Sequence, residues 1–496
     1  MSTQAATEEL AVVIGLEVHV QLETETKIFC GCSTDPPGTP NSNTCPVCLG
    51  LPGALPVLNE AAVVSAVKLG KAVDATIPEQ TSFDRKNYFY PDLTKGFQLT
   101  QYGAPICQGG ALDIELEGDR RSIRLRRAHL EEDPGSLEHV GGTVSTAEYT
   151  LVDYNRAGMP LMEIVTEPDL RSAPEVRAFL AKLTEVLEYL GIFDSQRDGS
   201  LRVDANVSLV PETELSDDGE VTEDALENAN RTEVKNISSH KGAQQALAYE
   251  VTRQRNAIQR GTEIETETRH WDESRGITVS MRTKEAEADY RYFPEGDLPP
   301  LSVSDWREQI SIPELPDARR ERFRSEYDLD EEAASKLTSS KQVADFYESV
   351  AEEFDPALAA TWVADLLLGE LNYRDRSVTD VEHRLEEFTR LIETVDSGAI
   401  TSKNAEEVVL REMLDDGRSP EAIIEAEGLG TADDDEVETA VSDAIEENPD
   451  AVADYREGED GAINFLVGQV MQKTGGSADP GDVNAALRAE LESLSE

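Results

Sequence analysis

Positive charge is scarce in this sequence. Its 496 residues hold 45 Lys and Arg against 100 Asp and Glu, a formal net charge of −55 at pH 7. Of the two basic residues, Arg outnumbers Lys. The acidity is spread over most of the chain rather than gathered in a tail. It reads as adaptation to high salt, where a dense carboxylate surface stays hydrated and repulsion is screened. An acidic binding surface is the other explanation. A nucleic-acid binder is ordinarily basic, but in molar salt counterion release loses its force. The charge balance therefore says little about partners.

Long apolar runs are also missing. No stretch of roughly 18 apolar residues occurs, which excludes a membrane-spanning helix. Residues Met1 to Glu9 are polar and acidic, without the apolar segment of a signal peptide. The expectation is a cytoplasmic protein with no membrane partner. There is no P-loop, which argues against the common NTPase mechanism. Heptads and convincing repeats are absent. Cysteine is rare: five residues, four of them (Cys30, Cys32, Cys45, Cys48) within one short stretch. A large cytosolic protein uses such a cluster for metal rather than disulfides. With Cys107 alone outside it, no paired Cys/His glutaminase is in sight, and neither is a Ser-Ser-Lys amidase.

What is present is organised around A-V-V-I-G-L-E-V-H-V-Q-L-E, Ala11 to Glu23. From Gly15 onward it alternates. Leu16, Val18, Val20 and Leu22 fall on one side, and Glu17, His19, Gln21 and Glu23 on the other. That pattern predicts a half-buried strand. Glu-x-His on one strand face offers donors for a divalent metal; a solvated outer face is the alternative. Next comes F-C-G-C, a Pro/Gly/Asn loop, and C-P-V-C-L-G. Cys30, Cys32, Cys45 and Cys48 would close a tetrahedral structural zinc site, with free or redox thiols as the alternative. All four positions are filled, so a catalytic zinc does not fit.

A helix is predicted over Asn59 to Val73. Phe83 to Tyr102 is the densest aromatic segment, and it carries Arg85, Lys86 and Lys95 in a chain poor in cations. Asp84, Arg85, Lys86, Asn87, Tyr88, Tyr90, Lys95 and Gln98 read as a ligand pocket or nucleotide platform, or else as a buried aromatic loop. Ala111 to His129 alternates again. Its Arg120, Arg121, Arg124, Arg126 and Arg127 suit phosphate or RNA contact, or an Arg ladder pairing with Glu115, Glu117 and Asp119. Glu131, Glu132 and Asp133 then form a carboxylate cluster that repels itself unless a cation neutralises it, or a solvated acidic turn. Pro174 to Leu190 reads as a helix. Ser200 to Val210 is a strand with Arg202, Asp204, Asn206 and Ser208 on one face. Arg231 to Ser238 places Glu233, Lys235 and Ile237 on one face. The acidic stretch Pro211 to Asn230 between these two reads as a surface loop. A helix over Tyr249 to Arg260 and a hairpin over Thr268 to Lys284 follow. The Pro-rich end at Leu301 marks a boundary. Beyond it the pattern is helical, in two units, with breaks at Gly398 and Gly417 and an acidic linker near Thr431 to Glu436. The length suggests about three domains.

The motifs G-L-E-V-H-V-Q-L, C-P-V-C-L-G-L-P-G-A-L-P, R-K-N-Y-F-Y-P-D-L, H-L-E-E-D, D-Y-N-R-A-G-M-P-L-M-E-I-V-T-E-P-D, S-L-R-V-D-A-N-V-S, D-Y-R-Y-F-P-E-G-D-L-P-P and F-L-V-G-Q-V-M occur in this order over nearly the whole chain. Together they resemble the B subunits of the aspartyl/glutamyl-tRNA amidotransferases, the GatB family, here in the version expected of a halophilic archaeon. The related archaeal E subunits of the glutamyl-only enzyme carry an extra domain before the tail, for which this chain has no room. The resemblance implies an α+β fold. A mostly antiparallel, glutamine-synthetase-like cradle would span 1–301, with a zinc knuckle at 30–48. An all-helical domain would follow over 302–408, then a small YqeY-like, tRNA-binding helical tail over 409–496.

It further implies ATP-dependent amidation of Glu-tRNA(Gln), of Asp-tRNA(Asn), or of both, within a heterotrimer with the A and C subunits of the amidotransferase. The first of these would supply ammonia from glutamine, and the second would wrap the pair. Glu17, His19 and Glu132 match family positions linked to a Mg²⁺ site and are the expected catalytic residues. Glu131 is a neighbouring candidate, and Asp204 and Glu233 would complete the shell. Arg85, Lys86, Asn87 and Tyr88 are the expected ATP contacts. The rival is a zinc-containing tRNA-binding module without catalytic activity. Carboxylate-rich strand faces speak against it, since an RNA groove would not be lined with Glu17, Glu131 and Glu132. In the tail, Arg456, Lys473 and the Gly475-Gly476 turn are the expected tRNA contacts.

Overall fold

The computed structural model describes residues 10–35, 38–141, 147–197, 199–216, 220–282, 290–430, 434–456, 461–475, 477–478 and 480–493. The polar start Met1 to Glu9, Lys284 at the hairpin end, part of the linker Thr431 to Glu436, and Gly476 lie outside the described residues. The chain divides into two compact units, Met1–Pro316 and Asp317–Glu496.

The strands of the first unit run in chain order as β1 (Leu10–Gln21), β2 (Gln80–Thr81), β3 (Asp84–Asn87), β4 (Phe97–Thr100), β5 (Cys107–Gln108), β6 (Ala111–Leu116), β7 (Asp119–Glu132), β8 (Ser136–Val140), β9 (Tyr149–Asp153), β10 (Pro160–Thr166), β11 (Leu201–Pro211), β12 (Thr232–Ile237), β13 (Glu267–Asp272), β14 (Ile277–Arg282), β15 (Phe293–Pro294) and β16 (Leu301–Ser302). Twelve of them make one sheet, ordered β14-β13-β12-β11-β1-β10-β7-β4-β3-β15, with β5 and β6 attached to β7. Only the β12–β13 pair is parallel among the described residues. Two short ladders, β2–β16 and β8–β9, stand apart from it.

β1 lies in the middle because one of its faces is wholly apolar. Leu16, Val18, Val20 and Leu22 are at most 1% exposed, each worth about 1.5–3 kcal/mol of hydrophobic stabilisation. They pack in one core with α1 (Glu60–Ala72), α2 (Ala173–Tyr189) and α4 (His240–Gln259), which follows a short α3 (Glu223–Asn228). Each of the three core helices starts on a side-chain cap that satisfies an orphan amide. Asn59 accepts from Ala61 N at 2.9 Å, Ser172 from Glu175 N at 3.3 Å and Ser239 from Gly242 N at 3.0 Å. The Ser239 cap starts α4 well before Tyr249, the expected start of this helix, and Ala243, Ala246 and Leu247 are already buried. Part of the acidic stretch Pro211 to Asn230 is helical, as α3 capped by Thr222. On β12, Asn236 takes a left-handed φ of 68°, and the β11–β12 register shifts beside it. That bulge turns Ile237 into the core, away from the face of Glu233 and Lys235.

The first unit continues beyond Leu301. β16 pairs with β2, and Val303, Trp306, Ile310 and Leu315 pack on the same core. The second unit is helical and holds two separate cores. Leu410, Met413, Leu414 and Ile423 belong to the first of these, and the second begins at Ala440. Its internal break therefore falls later than the expected boundary at 408. Among the described residues, no helix is long and apolar enough to cross a membrane.

Candidate active site

The polar face of β1 meets the polar faces of its neighbours in register. His19 lies opposite Glu163 on β10 and Arg202 on β11, and Glu163 lies opposite His129 on β7. One residue pair along, Glu17 lies opposite Asp204, and Asn206 opposite Glu233 on β12. Paired residues on adjacent strands project from the same face. A grid of ionisable groups thus covers one side of the sheet, opposite the apolar core.

Its centre is His19, Glu131 and Glu163. The imidazole Nε2 is 3.3 Å from Glu163 and 3.5 Å from Glu131. One donor atom from each of the three fits within 4.8 Å of the others, and both carboxylates are buried. Burial works against the His19 charge, but the Glu163 hydrogen bond and the two carboxylates win and hold it up to about 9. Burial, then Glu163, pushes Glu131 up to about 8. Burial also works against the Glu163 charge, but the His129 ring, which is charged only in the acid range where this carboxyl titrates, and the bond to His19 hold the carboxyl well below the usual range. Burial drives His129 down to about 4, so it is neutral at ordinary pH. Lys86 adds the nearby cation. Its burial is outweighed by Glu131 and Glu163, which raise it, and its Nζ stands 5.0 Å over the Tyr290 ring. Gln98 donates to Glu131 at 2.9 Å and accepts from Tyr88 Oη at 3.1 Å. Two carboxylates and an imidazole of this kind suit a divalent cation, whose charge would replace the shared proton.

The second group is Glu17, Asp204, Glu233 and Lys235. The ammonium sits 2.9 Å from Asp204 and 3.4 Å from Glu233. Asn206 donates to Glu17 at 3.2 Å. Burial, then Glu163, Asp204 and Glu233, raises Glu17.

The adjacent carboxylates of the H-L-E-E-D motif go to three different partners: alternation sends Glu132 to the face opposite Glu131, and Asp133 lies just past the end of β7. Glu131 joins His19 and Glu163. Glu132 takes Lys95 Nζ at 2.5 and 2.6 Å and the Leu99 amide at 2.9 Å, and it is not in the His19 group. Asp133 takes Arg202, Arg156 and Gln21. The segment Arg85 to Tyr88 splits in the same way. Lys86 and Tyr88 turn to the site. Arg85 forms a two-pronged ion pair with Glu295 at 2.6 and 2.8 Å, and Asn87 donates to the Arg291 carbonyl at 2.8 Å. Four of the β7 arginines form a ladder, while the fifth, Arg127, stands over the Tyr102 ring at 5.6 Å. Arg120 pairs with Asp113, Arg121 with Glu175, Arg124 with Asp169 and Glu220, and Arg126 with Glu167. Cys30, Cys32, Cys45 and Cys48 converge, their sulfurs within 4.8 Å of one another. Within that set, a hydrogen bond from Cys30 lowers the Cys48 thiol to about 4. Four thiols drawn together around one favoured thiolate have the donor chemistry of a zinc site.

Residues 12–308 match the GatB/GatE catalytic domain, and residues 345–491 match the GatB domain. The chain belongs to the GatB family. It is 73% identical to the B subunit of the aspartyl/glutamyl-tRNA(Asn/Gln) amidotransferase of Haloquadratum walsbyi, over 99% of each chain. It is 71% identical to that of Natronomonas pharaonis, over 99% of this chain and 100% of the relative. It is 51% identical to that of Methanospirillum hungatei, over 98% and 99%. Within this candidate site, sequence reasoning missed Glu163 and His129. Glu163 had a signal, since it is the one charged residue in the apolar strand P-L-M-E-I-V-T. An acid there must have a partner.

Proposed function

We propose that the chain is the amidating subunit of an aspartyl/glutamyl-tRNA amidotransferase. It converts Glu-tRNA(Gln), Asp-tRNA(Asn) or both to the amides, at the expense of ATP, with ammonia released from glutamine by the partner A subunit. The C subunit completes the heterotrimer, and the reaction belongs to the cytoplasm. The observation that carries this reading is half-buried His19 held by the buried carboxylates of Glu131 and Glu163 on a carboxylate-lined sheet face, with Lys86 beside it. An RNA-binding surface has no use for such a face. The relatives' name is that of an amidotransferase, and the non-catalytic alternative finds no support there.

A carboxylate does not react with ammonia until it has a leaving group, and phosphoryl transfer from ATP supplies one. His19, Glu131 and Glu163 would hold Mg²⁺, with Glu17, Asp204 and Glu233 lining the neighbouring rim. Bound there, Mg²⁺ would neutralise phosphate charge. Lys86 stands over the Tyr290 ring within electrostatic reach of Glu131 and Glu163, so its ammonium lies beside the same space. Gln98 holds Glu131 in place from behind, and Tyr88 holds Gln98. The pair Lys95–Glu132 ties β4 to β7 at the edge of the site. Cys30, Cys32, Cys45 and Cys48 would hold a structural zinc outside the reaction. The sheet-built unit is the cradle of the reaction, and the helical segment from Asp434 onward is the tRNA-binding tail. The direct test is amidation of each charged tRNA by the assembled complex in high salt. Product that requires ATP, glutamine and Glu163 is expected. ATP-independent product, or full turnover of Glu163→Gln, would refute the assignment.

A further inference from the structure

Asp133 is the third carboxylate of the H-L-E-E-D motif, and the chemistry above does not use it. It is 1% exposed. Arg202 Nη2 donates to its Oδ1 at 2.6 Å. Arg156 Nε and Gln21 Nε2 both donate to Oδ2, the latter at 3.1 Å. Arg202 is the cross-strand partner of His19, so it rises from the site face directly beside the imidazole. Gln21 rises from the same face, two residues along β1. Arg156 reaches the same carboxylate from the segment between β9 and β10. The pivot is buried, while the two arginine side chains keep 30% and 37% of their surface exposed.

Arg85, Arg120, Arg121, Arg124 and Arg126 each have a carboxylate of their own. Arg156 and Arg202 share one. Asp92 lies within electrostatic reach of Arg156 but makes no ion pair with it among the described residues. A guanidinium carries five donors, and Asp133 and its neighbours use only a few. Arg156 Nη2 is buried and has no hydrogen-bond partner. An unmet buried donor on a charged group is costly. Two forks held at fixed angles by one buried anion, beside a row of metal-type donors, match a tetrahedral oxyanion better than any neutral ligand.

We propose that Arg156 and Arg202, pinned by Asp133 beside His19, form a phosphate-binding pair for a substrate of the carboxylate site. The phosphate comes either from the nucleotide or from the 3′ end of the charged tRNA. The inference rests on the amidation reading and names the residues that grip its phosphate-bearing substrate. The test uses the full chain in its complex with the partner subunits, as wild type, Arg156→Lys and Arg202→Lys. Lysine keeps the charge that Asp133 needs but loses the fork. Equilibrium binding is measured separately for a non-hydrolysable ATP analogue and for charged tRNA. A loss of about tenfold or more, or 1.4 kcal/mol, in one arm is expected, and the arm that moves names the source. Glutamine hydrolysis without tRNA should not change. If both ligands bind both variants within twofold of wild type, the pair binds no phosphate and the proposal falls. If Arg156→Lys fails to assemble, the exposed Arg202→Lys alone decides. Wild-type complex that makes no amidated tRNA would sink the amidation reading instead, while the two binding curves still judge the arginines.

Discussion

Glu163→Gln should strip His19 of the partner that keeps it charged. In the metal-free protein the imidazole is held up to about 9 from an ordinary 6.5, against the pull of burial. At about 1.36 kcal/mol per pKa unit, the net preference for the imidazolium is roughly 3 kcal/mol. Because burial subtracts from it, the carboxylate attraction is larger still. The raised value also fixes a sign. His19 contributes stability that is fully present below about pH 6.5 and is lost as pH rises through about 9. In the variant, Glu131 is released from Glu163's repulsion, ionises more readily, and recovers part of the attraction. The expected fall in the His19 midpoint is therefore about one to two units, not the whole shift. The assay is an NMR titration of the histidine ring protons with EDTA present; there are six histidines to assign. His129, held down to about 4, stays neutral throughout and serves as the internal reference. Magnesium added to the wild type at pH 7.5 should release protons and abolish the high midpoint. A wild-type His19 that titrates at or below 6.5, or a midpoint that Glu163→Gln leaves in place, would refute the reasoning.

Other outcomes follow from the same geometry. Glu17→Gln and Glu132→Gln should each cut Mg²⁺-dependent amidation on the order of a hundredfold with the complex still assembled; wild-type turnover in either would remove that residue from the machinery. One zinc per chain should co-purify, and Cys48→Ser should lose it and lower Tm; metal analysis finding no zinc, with four titratable thiols, would contradict this. Deleting the tail from Asp434 onward, beyond the first helical core, should weaken charged-tRNA binding and leave tRNA-independent glutamine hydrolysis nearly intact, whereas unchanged tRNA affinity would make the tail a structural appendage. Leu180→Ala, at a fully buried position of α2, should cost about 2–5 kcal/mol in chemical denaturation, and a cost under 1 kcal/mol would show that the α2 face is not core.

What could be read in advance was whatever alternation alone decides. β1 was legible because Leu16, Val18, Val20 and Leu22 must share a face, so Glu17, His19 and Gln21 must share the other. The Cys₄ set was legible because its spacing already closes a site. Glu131, Glu132 and Asp133 were harder. Written side by side they read as one acidic cluster, but a strand cannot point adjacent residues the same way. Only the cross-strand register shows that Glu131 meets His19, Glu132 meets Lys95 and Asp133 meets two arginines. The same limit applies to Arg85 through Tyr88, where two residues serve the site and two serve β15 and its flank. Register is a long-range property. It depends on the bulge at Asn236 and the shift between Val165 and Thr166, and neither has a local signature strong enough to read. The β7 ladder makes the same point with charge. Its partners Glu167, Asp169 and Glu175 come from the end of β10 and the start of α2, far along the chain. An arginine cluster in so acidic a chain was always going to find carboxylates, but only the fold could say which ones. That is why the two arginines that end up sharing Asp133 could be recognised only from the fold.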